Sequence, residues 1–145
     1  MNLKQKLSSN HILAISIGVV YLWFGVLKYF PELSPAEDLA KNTINALTIN
    51  LIPSNVSIIL LAVWESLVGI LLILNIFPRA TILFALTHML LTFTPLFLFP
   101  EQVFNNEPFQ LTLLGQYIFK NVIIIGGLLT LYKLHSTNRK LRVAS

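Results

Sequence analysis

The sequence predicts an all-α integral membrane protein, a four-transmembrane-helix bundle with a short amphipathic helix in the first outward loop. Three observations carry that prediction. The 145-residue chain is 55% hydrophobic and only 11% charged, with a mean hydropathy of +0.75, whereas a soluble domain carries about 25% charged residues. Four continuous apolar segments each come close to the ~20 residues that cross a ~30 Å hydrocarbon core as a helix. The basic residues gather at the chain ends and in one turn, the arrangement that sets the orientation of a multi-pass protein.

The first segment is "HILAISIGVVYLWFGVLKYF", residues 11–30. No small-x-small cleavage site precedes Pro31, so a retained helix is expected rather than a removed leader. Next comes a loop from Pro31 to Ser54. In it "SPAE" reads as a helix start, with Ser34 as the cap, Pro35 in the first turn and Glu37 three residues after the cap. Leu39, Ala40, Thr43, Ile44, Leu47 and Leu51 then recur at helical spacing, opposite Asp38, Lys41, Asn42 and Asn45. An amphipathic helix over about 35–48 follows. It either lies at the membrane interface or forms a lid over an outward-facing cavity.

The second, third and fourth spans are expected at about 55–77, 80–99 and 116–134, with a basic, frayed cytoplasmic tail over 135–145. All belong to a single membrane domain, 1–145. Pro78 closes the turn "NIFPRA". Pro95 in "TFTP" cannot donate a hydrogen bond, so a kink is expected there, freeing the carbonyl of Leu91. Continuous runs rather than alternating ones exclude barrel strands; helices satisfy their own backbone in lipid.

Lys4, Lys6, Arg79, Lys133, Arg139, Lys140 and Arg142 fall on one side of this arrangement. The two longer loops carry Lys41 against Glu32, Glu37, Asp38, Glu101 and Glu107. Both termini are therefore expected in the cytoplasm. Bases placed at the ends suit anionic lipid headgroups; they form no patch for nucleic acid. The absence of cysteine excludes thiol–disulfide chemistry by this chain and thiolate metal sites.

Each span carries a stripe of small and polar residues: Gly18, Tyr21, Gly25 and Lys28; Ala62, Glu65, Ser66 and Gly69; Thr81, Ala85, His88, Thr92 and Pro95; Gln116, Lys120, Gly127 and Thr130. In lipid, helices associate through close backbone approach and interhelical hydrogen bonds, so the four stripes are expected to face one another. Each span also brings one ionisable group, Lys28, Glu65, His88 or Lys120. A charge at the membrane centre costs about 2.5–3.5 kcal/mol even on the lenient scale, so these groups are expected to turn inward and pair. Lys28 and Lys120 are near enough to helix ends to snorkel. Glu65 is central and short, and is either a protonated carboxyl or a carboxylate paired with a lysine. His88 fits a neutral core histidine as well as a proton-exchanging one. One His and one Glu do not make a metal site.

A polar pocket lined by Tyr21, Lys28, Glu65, His88, Thr92, Gln116, Lys120 and Asn121 is the expected ligand site. It would suit the polar head of an amphiphile or a quinone, with lysines binding its oxygens and Glu65 or His88 exchanging protons. No Ser–His–Asp set or phosphate loop accompanies it, and no catalytic residue is assigned. Trp23 and Trp64 read as packing or interface residues.

The pieces "YLWFGVLKYF", "WESLVGILLILNIFPRATIL", "THMLLTFTPLFLFPEQVF" and "GQYIFKNVIIIGGLL" together resemble the DoxX-like family of small four-helix bacterial membrane proteins, in particular its DoxX/DUF417-type branch. They span roughly residues 15–132. The resemblance implies four helices, a bacterial cytoplasmic (inner) membrane, and a link to quinone-coupled or oxidative-stress redox systems alongside another membrane or redox protein. Lys28, Glu65, Gln116, Lys120 and Asn121 fall at family-like motif positions. A non-enzymatic scaffold or assembly subunit is the alternative, and a small-solute transporter, working as a homo-oligomer, is a third. Whether the chain is an enzyme stays open at this point.

Overall fold

The computed structural model describes residues 3–105 and 110–143, with side chains over 10–105 and 110–136. Within these residues the regular structure is helical, apart from one isolated antiparallel bridge between Phe104 and Leu111. The helices are α1 (Leu3–Leu27), α2 (Glu37–Leu47), α3 (Ser54–Ile73), α4 (Pro78–Leu91), α5 (Pro95–Leu98), α6 (Pro100–Val103) and α7 (Leu113–Val143). Four stretches are long and apolar enough to cross a membrane: Asn10–Leu27, Ser54–Ile73, Pro78–Leu98 and Leu113–Ser136.

Local chemistry explains most of the boundaries. α1 ends at Leu27, and the chain tightens into i→i−3 turns in which Lys28 N–H bonds the Gly25 carbonyl at 3.2 Å. α3 gives way to a turn in which Asn75 and Phe77 adopt positive φ, 54° and 44°. Pro78 then opens α4, where its missing N–H is not needed. At Pro95 the span breaks as expected: α4 stops at Leu91, and Thr94 N–H takes the Leu91 carbonyl at 3.0 Å. Thr112 caps α7, its Oγ1 accepting from Gly115 N–H at 3.1 Å.

Three expectations are revised. Ser34 does not cap α2; that helix starts after Ala36 with no side-chain cap, because Glu32–Glu37 is occupied by its own turn, with Glu37 N–H on the Ser34 carbonyl at 3.2 Å. α7 does not end at Leu134 with a frayed tail beyond; it continues to Val143, since "HSTNRKLRV" holds neither Gly nor Pro to stop it. And α7 turns its small-polar stripe inward only in part: Gly127 packs against α1, where an added Cβ would lie 2.9 Å from Ile17 Cδ1. Gln116, Lys120 and Thr130 are exposed, while Ile118, Leu128 and Leu131 are buried. Thr130 meets its own need by donating to the Gly126 carbonyl at 2.9 Å, so its hydroxyl does not require a neighbouring helix.

The other stripes do face inward. α1 and α3 pack most intimately, through glycine. A Cβ on Gly18 would lie 2.9 Å from the Gly69 carbonyl oxygen, and one on Gly69 would lie 2.7 Å from Leu22 N. These are backbone atoms that cannot swing aside. The main core, Ala14, Ile17, Tyr21, Val68, Leu72, Ile82, Ala85, Met89, Leu128 and Leu131, joins α1, α3, α4 and α7. A second cluster, Leu39, Val103 and Ile118 with Phe93, Leu96 and Phe99 against it, ties α2, α5 and α6 to the start of α7.

Replacing Gly69 with leucine should cost about 1–3 kcal/mol through overpacking, read as a fall in the thermal midpoint in detergent micelles. Gly126→Ala, where an added Cβ meets nothing within 4 Å, should leave the midpoint unchanged. Equal effects of the two substitutions would contradict close α1–α3 packing.

Candidate functional site

Where α1 leaves its helix, Lys28 turns its side chain back toward the bundle. Its Nζ donates to Glu65 Oε2 at 2.6 Å and to the Phe24 carbonyl at 3.3 Å. Both side chains of this pair are about nine-tenths buried, each 9% exposed. The second Glu65 oxygen, Oε1, lies 3.5 Å from His88 Nε2. His88 Nδ1 in turn lies 3.3 Å from the Tyr21 hydroxyl, which is 2.9 Å from the Ala85 carbonyl. One continuous polar line therefore runs Lys28–Glu65–His88–Tyr21–Ala85 across α1, α3 and α4.

The line has a specific chemical property. Tyr21 has one proton to donate, and two acceptors compete for it. With that proton on the Ala85 carbonyl, the Tyr21 oxygen accepts from His88 Nδ1–H, and Nε2 turns a lone pair toward Glu65. With the proton directed to Nδ1, the matching tautomer is the one that carries its hydrogen on Nε2, toward the carboxylate. The orientation of the Tyr21 hydroxyl and the tautomer of His88 are thus matched, each hydroxyl orientation going with one tautomer.

This line forms part of the wall of a cavity of about 550 Å³, within the range of sites for small organic ligands, ~300–1,000 Å³. Most of the lining is apolar, with Val20, Phe24, Leu61, Met89 and Ile124 among it. The α2 face predicted to be apolar supplies Leu39, Ala40, Thr43, Ile44 and Leu47 to the same cavity, so α2 stands over it as a lid. Leu51, grouped with that face in the sequence reading, is exposed and lies outside the lining.

Of the residues expected to meet, Tyr21, Lys28, Glu65, His88, Thr92, Lys120 and Asn121 all line this cavity. Gln116 does not; it is exposed, one turn before Lys120 on α7. Asn121 Nδ2 donates to Thr92 Oγ1 at 2.9 Å, and Thr92 passes its own proton to the Met89 carbonyl at 2.6 Å. That bond ties α7 to the point where α4 breaks. Lys120 stands away from the buried line, with its Nζ 5.3 Å from the centre of the Tyr117 ring. Trp64 packs edge-on against Phe84, with ring centres 5.4 Å apart. Among the described residues, no group of three or more His, Asp or Glu could hold a metal ion.

Sequence reasoning missed Tyr117 as the ring beneath Lys120, and it missed how the lid is anchored. Glu37 accepts from Lys41 Nζ at 2.6 Å and from Glu32 N–H at 2.9 Å. The Glu-to-Lys i, i+4 spacing was the available signal. The hydrogen bond from Lys41 is the main influence holding the Glu37 carboxyl below its ordinary range; partial burial opposes it, and Glu32 N–H and the charges of Lys41 and Lys28 add to it. Comparison of the chain with protein-family models, curated proteins and solved structures finds no match.

Two outcomes follow from this geometry. Breaking a buried ion pair on one side costs about 3–5 kcal/mol, so Lys28→Met and Glu65→Met should each be strongly destabilising. The double variant should lose clearly less than the sum, as read by unfolding in one detergent; strict additivity would show that the two groups do not interact. For the lid, a carboxyl whose folded pKa is depressed contributes stability that is present above its unfolded pKa and lost as pH falls through the folded one. Hydrogen exchange in α2, corrected for intrinsic rates, should therefore accelerate as pH drops from neutral through the carboxylate range. In Glu37→Gln that acid-dependent step should vanish.

Proposed function

We propose that this chain is a DoxX-like multi-pass protein of the bacterial inner membrane, with both termini cytoplasmic and the α2 lid on the outward side. In this reading its cavity holds the polar head of a quinone or another long-chain amphiphile, and it serves a quinone-linked or oxidative-stress redox system with another membrane or redox protein. One observation carries the reading: a buried line of ionisable groups lies in the wall of an otherwise apolar cavity of about 550 Å³. Apolar pockets with a few convergent polar groups are the common form of small-molecule sites. The apolar part accepts a tail, and Lys28, Lys120 and Asn121 offer donors to carbonyl or hydroxyl oxygens. The buried line of Glu65, His88 and Tyr21 lies beside that head, where a quinone–quinol exchange would need protons.

A scaffold or assembly subunit is the second reading, and a specific observation favours it. The Lys28–Glu65–His88–Tyr21 line is internally satisfied, so it locks three helices together without any ligand.

The two are separated by titrating a short-tailed quinone into the purified protein in nanodiscs. Saturable binding that is lost in both Glu65→Gln and Lys120→Met, with the helical signal retained, is the expected result. Binding undiminished in both variants would overturn the ligand-site reading. Glu65→Gln that loses stability while partner function persists in the folded fraction would favour the scaffold.

A further inference from the structure

The charges along the cavity wall do not cancel. Lys28 is matched by Glu65 at 2.6 Å. Glu37, nearby on the lid, is matched by Lys41 at 2.6 Å. Lys120 also lines the cavity, yet among the described residues no carboxylate forms an ion pair with it. Its nearest aromatic company is the face of Tyr117, at 5.3 Å, which attracts a cation without neutralising it. Among the described residues, the cavity therefore presents one surplus positive charge beside a predominantly apolar volume. Glu65, the carboxylate on its wall, is already engaged by Lys28 and His88.

A neutral ligand would leave that charge as it is. An anionic head would complete it, and a charge-assisted hydrogen bond from an ammonium is about twice as strong as a neutral one. Lys120 stands about 10 Å along α7 from its first residue at ~1.5 Å per residue, on the α2 side of the bundle. A head placed there leaves the apolar lining under α2 for a tail.

We propose that the ligand of this cavity is a single-chain amphiphile with one negative charge on its head, the head on Lys120 and the acyl chain in the apolar space beneath α2. This rests on reading the cavity as a ligand site, and it narrows the amphiphile to its anionic members. A fatty-acid carboxylate and a lysophospholipid phosphate share this chemistry.

The test uses the full chain in phosphatidylcholine nanodiscs at mildly alkaline pH. Binding of oleate, oleoyl-lysophosphatidylglycerol, oleyl alcohol and the short-tailed quinone is compared by native mass spectrometry. At least one of the two anions should bind about tenfold more tightly than the alcohol, and the tighter of them identifies the source as free acid or membrane lipid. Lys120→Met should weaken that anion more than the alcohol, so that the two bind equally in the variant, and Lys120→Arg should restore the preference. Equal binding of anions and alcohol, or a preference that survives Lys120→Met, overturns the proposal. If the alcohol or the quinone still binds in that case, the ligand-site reading stands and only the anionic head is lost. If none of the four binds, both readings fail.

Discussion

The ion pair between Lys28 and Glu65 is the constraint on which the other features of this fold depend. Two charges cannot stay unpaired inside a bundle of this composition, so the 2.6 Å contact fixes the rotation of α1 against α3. It also explains why α1 stops where it does. Leaving the helix at Leu27 brings Lys28 into a tight turn, from which its stem folds back to reach both the Phe24 carbonyl and the carboxylate. With α1 and α3 in that rotation, Gly18, Gly25 and Gly69 meet the opposing helix, and the backbones close to distances at which any Cβ would collide. Charge pairing and close packing specify the same interface, and such agreement between levels favours one structure over its alternatives.

From that interface the site assembles by succession. Glu65, held on one oxygen by Lys28, offers the other to His88, and His88 reaches Tyr21 one helix away. Each group answers the one before it, so Lys28, Glu65, His88 and Tyr21 are all engaged within one line. The remaining space, walled by aliphatic side chains and covered by α2, stays apolar. A membrane-dissolved molecule with a polar end would meet there two environments that match its own two halves.

The sequence was most legible where a residue had no local way to satisfy itself. Glu65 and Lys28 sit in apolar runs with no neighbour along the helix able to neutralise them, and the structure finds them together. Pro95 cannot donate, and the span breaks there. The four long apolar helices were readable for the same reason, since a continuous run of such length has few other uses. Legibility failed where a local partner existed. Thr130 bonds the Gly126 carbonyl in its own helix, so its place in a polar stripe said nothing about which way α7 faces. Gln116 misled for a related reason, because a side chain near a helix end has room to stay exposed. Large aliphatic residues, Ile118, Leu128 and Leu131, set the rotation of α7 instead. Ser34 illustrates a further limit: a capping pattern names a competent residue, but the turn geometry decides whether it is used.

α7 has a consequence that lies outside the bundle. It is 31 residues long, about 46 Å at ~1.5 Å per residue, against a hydrocarbon layer of ~30 Å. In a membrane, an upright rod of that length would overshoot the layer by roughly half its thickness, and the sequence beyond the apolar stretch ending at Ser136 carries Arg139, Lys140 and Arg142. In the proposed membrane orientation the end of α7 would thus be a ruler as well as a terminus, its length setting how far from the lipid the basic part of the sequence begins.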